Sequence, residues 1–176
     1  MSVPVGEILI SEAQIKKRVK ELGAEISRDY RGKVPTLISV LKGGIIFLSD
    51  LVRELSVLHE IDFMSVSSYN GGTDTSGVVR ILADLSINIE GKDVLIVEDI
   101  VDTGLTLDYI RHILLARHPK SLRICTLLDK KARRKIEVPL DYVGFVVPDE
   151  FVIGYGLDYG EKYRNLPYVA VFEPEE

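Results

Sequence analysis

The residues of this chain with the most chemical content stand together between positions 94 and 106. Val94-Leu95-Ile96-Val97 is an unbroken apolar run that reads as a buried, parallel strand. Glu98 and Asp99 follow at its carboxyl end, then the polar loop Asp102-Thr103-Gly104-Leu105-Thr106, then a helical pattern. In an open α/β sheet, a strand, an acidic tip, a small-residue loop and a helix place a ligand outside the carboxyl ends of the strands. The start of a helix offers unpaired backbone N–H groups and a positive dipole end, which suit a phosphate. Gly104 lets the backbone approach such a phosphate closely, and Thr103 and Thr106 add hydroxyl donors. Glu98 and Asp99 only accept when ionised, so they suit sugar hydroxyls or a hard cation such as Mg²⁺. Asp102, inside the loop, is placed to act as a base or an orienting group. The same residues also fit an ordinary helix capped by Asp or Thr, with surface acids before it.

A second strand–loop–helix unit precedes this one. Thr36 to Leu41 is a short buried strand, Lys42-Gly43-Gly44 follows, and Ile45 to Leu55 reads as a helix. Glycine N–H groups and one lysine charge suit a diphosphate, although a tight turn with a solvated lysine has the same pattern.

These junctions need a sheet and helices to hold them. Glu7 to Ile10 reads as a lead-in strand and Ser11-Glu12-Ala13-Gln14 as a capping box. Ile15, Val19, Leu22 and Ile26 then form one apolar helical face, closed by Gly32 and Pro35. Gly23 weakens that helix by about 1 kcal/mol relative to Ala. His59 to Val66 and Val78 to Ile87 have strand character. Between them lies a polar, glycine-rich stretch, 67–77, with the composition of a mobile lid. Leu107 to His118 reads as a helix ended by Pro119. Leu122 to Leu128, Tyr142 to Val147 and Val169 to Phe172 read as further strands. The basic run 130–135 reads as a solvated surface loop, except that Lys130 lies nearest a strand end.

Composition narrows the class. A chain of 176 residues, 46% hydrophobic and 28% charged, is long enough for one α/β domain with a real core. A net charge of −5 argues against a general nucleic-acid binder. Cys125 is the only cysteine and sits in an apolar strand pattern, so no intrachain disulfide is expected. His59, His112 and His118 have no metal-ligand spacing. No run is long enough to span a bilayer, and a cytoplasmic protein is expected.

The apolar run, two acids and Asp-Thr-Gly-Leu-Thr of residues 94–106 closely resemble the phosphoribosyl-diphosphate (PRPP) motif of the type I phosphoribosyltransferases. Leu41-Lys42-Gly43-Gly44 resembles the pyrophosphate loop of the purine enzymes. Phe151-Val152-Ile153-Gly154-Tyr155-Gly156-Leu157-Asp158-Tyr159 resembles the purine hood of the hypoxanthine-guanine branch. The resemblance implies a single domain: a central, mostly parallel sheet flanked by helices, with a small hood from both chain ends. It implies transfer of phosphoribosyl from PRPP to a 6-oxopurine with Mg²⁺, by a homodimer or homotetramer.

The resemblance also implies roles. Asp102 would be the base. Lys42, Gly43, Thr103, Gly104, Leu105, Thr106 and Arg164 would bind the phosphates, and the Leu41–Lys42 peptide would be cis. Leu105 stands where some relatives carry Lys, which matters little if backbone N–H groups bind the phosphate. Glu98 and Asp99 would hold ribose hydroxyls and, with Asp158, the Mg²⁺. Lys130, Phe151, Val152 and Asp158 would bind the base, and Ser68 and Tyr69 would belong to the lid. Xanthine or adenine specificity, or a PRPP-sensing regulator that binds nucleic acid, are the alternatives. Lys130 speaks against adenine.

Overall fold

The computed structural model describes residues 5–68 and 79–173. Within them, β1 (Val5–Ile10), α1 (Glu12–Asp29), β2 (Thr36–Leu41), α2 (Ile45–Arg53), β3 (Glu60–Ser68), β4 (Val79–Ala83) and β5 (Asp93–Val101) come first. They are followed by α3 (Leu105–Leu115), β6 (Ser121–Asp129), β7 (Tyr142–Val146), β8 (Val152–Ile153) and β9 (Val169–Phe172). A six-stranded sheet has the order β4-β3-β2-β5-β6-β7, parallel throughout except for the β3–β4 pair. A separate antiparallel sheet, β1-β9-β8, joins strands from near the two ends of the chain.

α1 forms where the capping box places it. The Ser11 hydroxyl accepts from the Gln14 N–H at 3.2 Å, and the Gln14 side chain accepts from the Ser11 N–H at 2.8 Å. Ile15, Val19, Leu22 and Ile26 are buried, and they pack with Leu37, Leu51, Leu95 and Val97 on one face of the large sheet. On the other face Leu107, Ile110 and Leu114 of α3 pack with Ile38, Ile96 and Ile124. Helices on both faces require strands that are apolar on both faces, which explains the continuous apolar runs of β2 and β5. A Cβ on Gly23 would come within 2.6 Å of the Glu54 Cβ at the end of α2. The position is therefore a point of contact between α1 and α2, beyond its cost in helix propensity.

Several element boundaries differ from the expected ones by a few residues, and three of the differences bear most on how the site is built. β5 continues four residues beyond Val97, because β6 runs alongside it as far as the pair Val101–Asp129. Glu98 and Asp99 thus lie within the strand and not beyond its end. β4 stops at Ala83, because Ser86 and Ile87 give their N–H groups to the Asp62 carboxylate, each at 2.8 Å, and not to a ladder. α3 begins at Leu105, directly after Gly104 at φ 85°, and ends at Leu115 instead of His118. Because β2, β5 and β6 are parallel and in register, the segments after Leu41, Val101 and Asp129 all leave the sheet at one edge.

Candidate active site

The loop after β5 is held from behind. The Asp102 carbonyl accepts from the Arg134 Nε at 3.2 Å. The Thr103 carbonyl accepts from the N–H groups of Lys135 (2.9 Å) and Ile136 (3.2 Å). The Val101 carbonyl accepts from the Lys130 N–H at 3.0 Å. Gly104 adopts a left-handed conformation with the Ile136 carbonyl and Val138 packed against it, so a side chain there would be strained and obstructed. Asp102 Oδ1 is buried without a hydrogen-bond partner, while Oδ2 lies 3.8 Å from the Arg133 guanidinium. The basic run is thus not all solvated surface. Arg134 is nearly buried and paired with the fully buried Asp129, because the chain after β6 folds back over the loop. Arg134 is the residue that pattern reading missed; the signal was an acid five residues earlier at a strand end.

Glu98 lines a cavity of about 150 Å³ together with Val40, Asp102, Thr103, Gly104 and Thr106. Asp99 approaches the loop after β2, where a Cβ on Gly43 would collide with its Oδ2. Burial raises the Glu98 carboxyl well above the ordinary carboxylate range, and the neighbouring Asp99 charge adds to this. Burial also pushes Asp99 up to about 6, against the opposing pull of backbone N–H groups and the Arg164 charge. Two acids held in this way favour anything that brings positive charge or hydroxyl donors to them.

The Leu41–Lys42 peptide is cis. Lys42 is largely exposed, with its Nζ 2.5 Å from Glu161 Oε2. Arg164 donates to the Gly156 carbonyl at 2.7 Å, and its Nη2 lies 3.1 Å from Asp158 and 3.2 Å from Glu161. A Cβ on Gly156 would collide with the Gly43 carbonyl, so the hood backbone lies directly on the Lys42–Gly44 loop. Glu161 therefore bridges the two cations expected to hold a diphosphate, a contact not visible in the residue pattern.

Lys130 is buried and donates from Nζ to the Glu150 carbonyl at 2.8 Å. This places the ammonium beside Phe151 and Val152. Val152 is buried in β8, but the Phe151 ring is 53% exposed and leaves a face open for stacking. It meets Tyr159 and Phe172 edge-on, with centroids 5.9 and 5.8 Å apart, while those two rings stack on each other at 4.1 Å. Ser68 ends β3; its side chain and Tyr69 lie outside the described residues, as does most of the expected lid. Cys125 is buried in the core, which raises its thiol far above the ordinary value.

The arrangement has counterparts. A model of the phosphoribosyl transferase domain matches residues 6–160. Over 174 residues the chain is 51% identical to the hypoxanthine-guanine phosphoribosyltransferase of Bacillus subtilis, covering 99% of this chain and 97% of that one. A crystal structure of a hypoxanthine phosphoribosyltransferase from Staphylococcus aureus superposes with a TM-score of 0.94 at 50% identity, covering 97% of this chain and 93% of that one. The chain is also 49% identical over 171 residues to the bifunctional protein TilS/HprT of Listeria monocytogenes serotype 4b, and it spans 26% of that protein's length. No helix among the described residues is long and apolar enough to cross a membrane. The sheet, the three loops at its edge and these relatives agree: the chain belongs to the phosphoribosyltransferase family.

Proposed function

We propose that this protein transfers the 5-phosphoribosyl group of PRPP to N9 of hypoxanthine or guanine, giving IMP or GMP and pyrophosphate. The observation that carries this reading is convergence. A cationic glycine loop, an acidic strand end, an open loop at a helix start, and a lysine beside an exposed aromatic ring all meet at one edge of the sheet.

In this reading the N–H groups from Thr103 to Thr106 receive the 5-phosphate, helped by the positive end of α3. Lys42, the Gly43 backbone and Arg164 receive the diphosphate, Arg164 as a fork. Glu98 and Asp99 hold the ribose hydroxyls. The base lies against Phe151 with its edge at the Val152 backbone, and Lys130 donates to O6. Asp102 Oδ1, buried and unpartnered, takes the proton from N7 as N9 attacks C1′ and the bond from C1′ to the diphosphate oxygen breaks. Ser68 and Tyr69 belong to the segment that closes over the site and keeps water from the electron-poor C1′.

Among the described residues no three His, Cys, Asp or Glu side chains gather into a metal cage. The pair Glu98 and Asp99 would hold a Mg²⁺ bound together with the diphosphate, a hard cation suited to carboxylate oxygens. Asp158, close enough to Asp99 to raise its carboxyl, is the third acid on that side. The cation supplies charge neutralisation to the leaving diphosphate. A homodimer or homotetramer of one-domain protomers belongs to this reading, and sedimentation tests it.

The deciding experiment is product formation from PRPP and Mg²⁺ with hypoxanthine, guanine, xanthine and adenine in turn, read by chromatography. Nucleotide from the first two supports the reading. Nucleotide from xanthine alone changes the assignment of the base pocket. None from any base, in folded protein that binds PRPP, overturns the reading in favour of a regulator.

A further inference from the structure

We infer that Arg134 is a positioning residue for the Asp102–Gly104 loop, acting on the reaction through the backbone without touching substrate. The inference rests on the reading of that loop given above. Three contacts carry it. Arg134 is 9% exposed and paired with Asp129, which is 2% exposed, so its guanidinium is anchored at the end of β6. From that anchor Nε donates to the Asp102 carbonyl at 3.2 Å. Its Cδ methylene lies 3.1 Å from where a Cβ on Gly104 would stand. The next two residues, Lys135 and Ile136, donate to the Thr103 carbonyl.

Two successive carbonyls of the loop are therefore drawn back toward residues 134–136. In a trans peptide the N–H points opposite to the carbonyl across the same plane. Fixing the Asp102 and Thr103 carbonyls therefore turns the N–H groups of Thr103 and Gly104 the other way, toward the 5-phosphate. The same hold keeps Asp102 Oδ1 buried without a partner, a placement that costs free energy and persists only where the backbone is over-determined. A guanidinium can bind a carboxylate and donate separately to a carbonyl because its donors form a rigid fork; an ammonium in its place keeps the charge but not that geometry.

The test compares Arg134→Lys, Asp102→Asn and the double variant in steady-state phosphoribosyl transfer, together with the dissociation constant for ribose 5-phosphate. Arg134→Lys is expected to lower kcat by about ten- to a hundredfold, the scale of a displacement near 1 Å, with the KM for the base within about twofold. In the Asp102→Asn background the same change is expected to cost less than about threefold, because both act through one group. Ribose 5-phosphate is expected to bind about tenfold more weakly to Arg134→Lys and unchanged to Asp102→Asn. A general loosening of the fold would instead give additive losses in kcat.

Parent-like kcat and ribose 5-phosphate affinity in Arg134→Lys, or full additivity with Asp102→Asn, overturn the proposal. Parent-like turnover of Asp102→Asn overturns the role given to Asp102 instead, and ribose 5-phosphate affinity then decides the proposal about Arg134. Asp129→Asn, which removes the anchor with little change of volume, is the second variant should Arg134→Lys fail to fold, and the same pattern is expected of it.

Discussion

At the proposed site, two single side chains lead to opposite predictions. Glu161 sits between Lys42 and Arg164 at 2.5 and 3.2 Å, where a diphosphate would place its own oxygens. If the diphosphate binds as proposed, it displaces a carboxylate that competes for the same cations. Glu161→Gln is expected to lower the KM for PRPP by about two- to fivefold, a small factor because exposed ion pairs are weak. A raised KM would make Glu161 part of the productive site. Lys130 lies in the opposite situation, buried with its ammonium on the Glu150 carbonyl. A hydrogen bond from a charged donor contributes about 1.5–3 kcal/mol, so Lys130→Met should shrink the preference for hypoxanthine over adenine by about ten- to a hundredfold. Competition assays with the two bases would measure the ratio, and an unchanged ratio removes Lys130 from base recognition.

At the level of elements, the parallel register of β2, β5 and β6 brings residues almost ninety positions apart to one edge of the sheet. That register depends on the helices covering it. Gly23 illustrates how a pattern can be read correctly and still mislead. Viewed as helix propensity, Gly23→Ala gains about 1 kcal/mol. In the folded chain the new methyl would stand 2.6 Å from the Glu54 Cβ and 2.9 Å from its carbonyl oxygen. Overpacking of this kind costs about 1–3 kcal/mol, so the net effect should be a loss of stability and a melting temperature lower by a few degrees. Calorimetry decides it, and a higher melting temperature would mean that α1 and α2 move apart freely.

The whole molecule is held partly by phenols that must stay neutral. Tyr30 is buried between α1 and the sheet, and burial pushes its hydroxyl up to about 12, partly offset by the Arg123 charge. Tyr142 and Tyr155 are raised in the same direction, again chiefly by burial. A group whose folded pKa lies above its unfolded value of ~10 contributes stability that is complete below that pH and lost as the pH rises through the folded value. Alkaline unfolding should therefore fall between pH ~10 and about 12. Circular dichroism and phenolate absorbance should change together there. The Tyr30 hydroxyl has no hydrogen-bond partner. Tyr30→Phe should therefore be neutral or stabilise by about 1 kcal/mol at pH 7 and shift the alkaline transition upward. A loss of several kcal/mol on that substitution would show that the hydroxyl is partnered in solution.

Residue order alone determined a good deal of this protein. The capping box, the 3.6-residue spacing of Ile15, Val19, Leu22 and Ile26, and the apolar runs of β2 and β5 are local signals, and each was sufficient to place its element. The stretch from Glu98 to Thr106 could be read as a candidate phosphate and sugar site because a helix start, a glycine and adjacent acids are neighbours in the chain. Only the tertiary structure decided the rest, and each instance is a contact between distant segments. β5 extends through Glu98 and Asp99 because β6 is there to pair with it. Glu161 takes up Lys42 because the hood lies on the loop after β2. Arg134 leaves the solvent because Asp129 and the Asp102 carbonyl together satisfy its charge and its donors. Side-chain type and spacing set which chemistry was available; burial and long-range pairing, which no local pattern encodes, set which residues hold it in place.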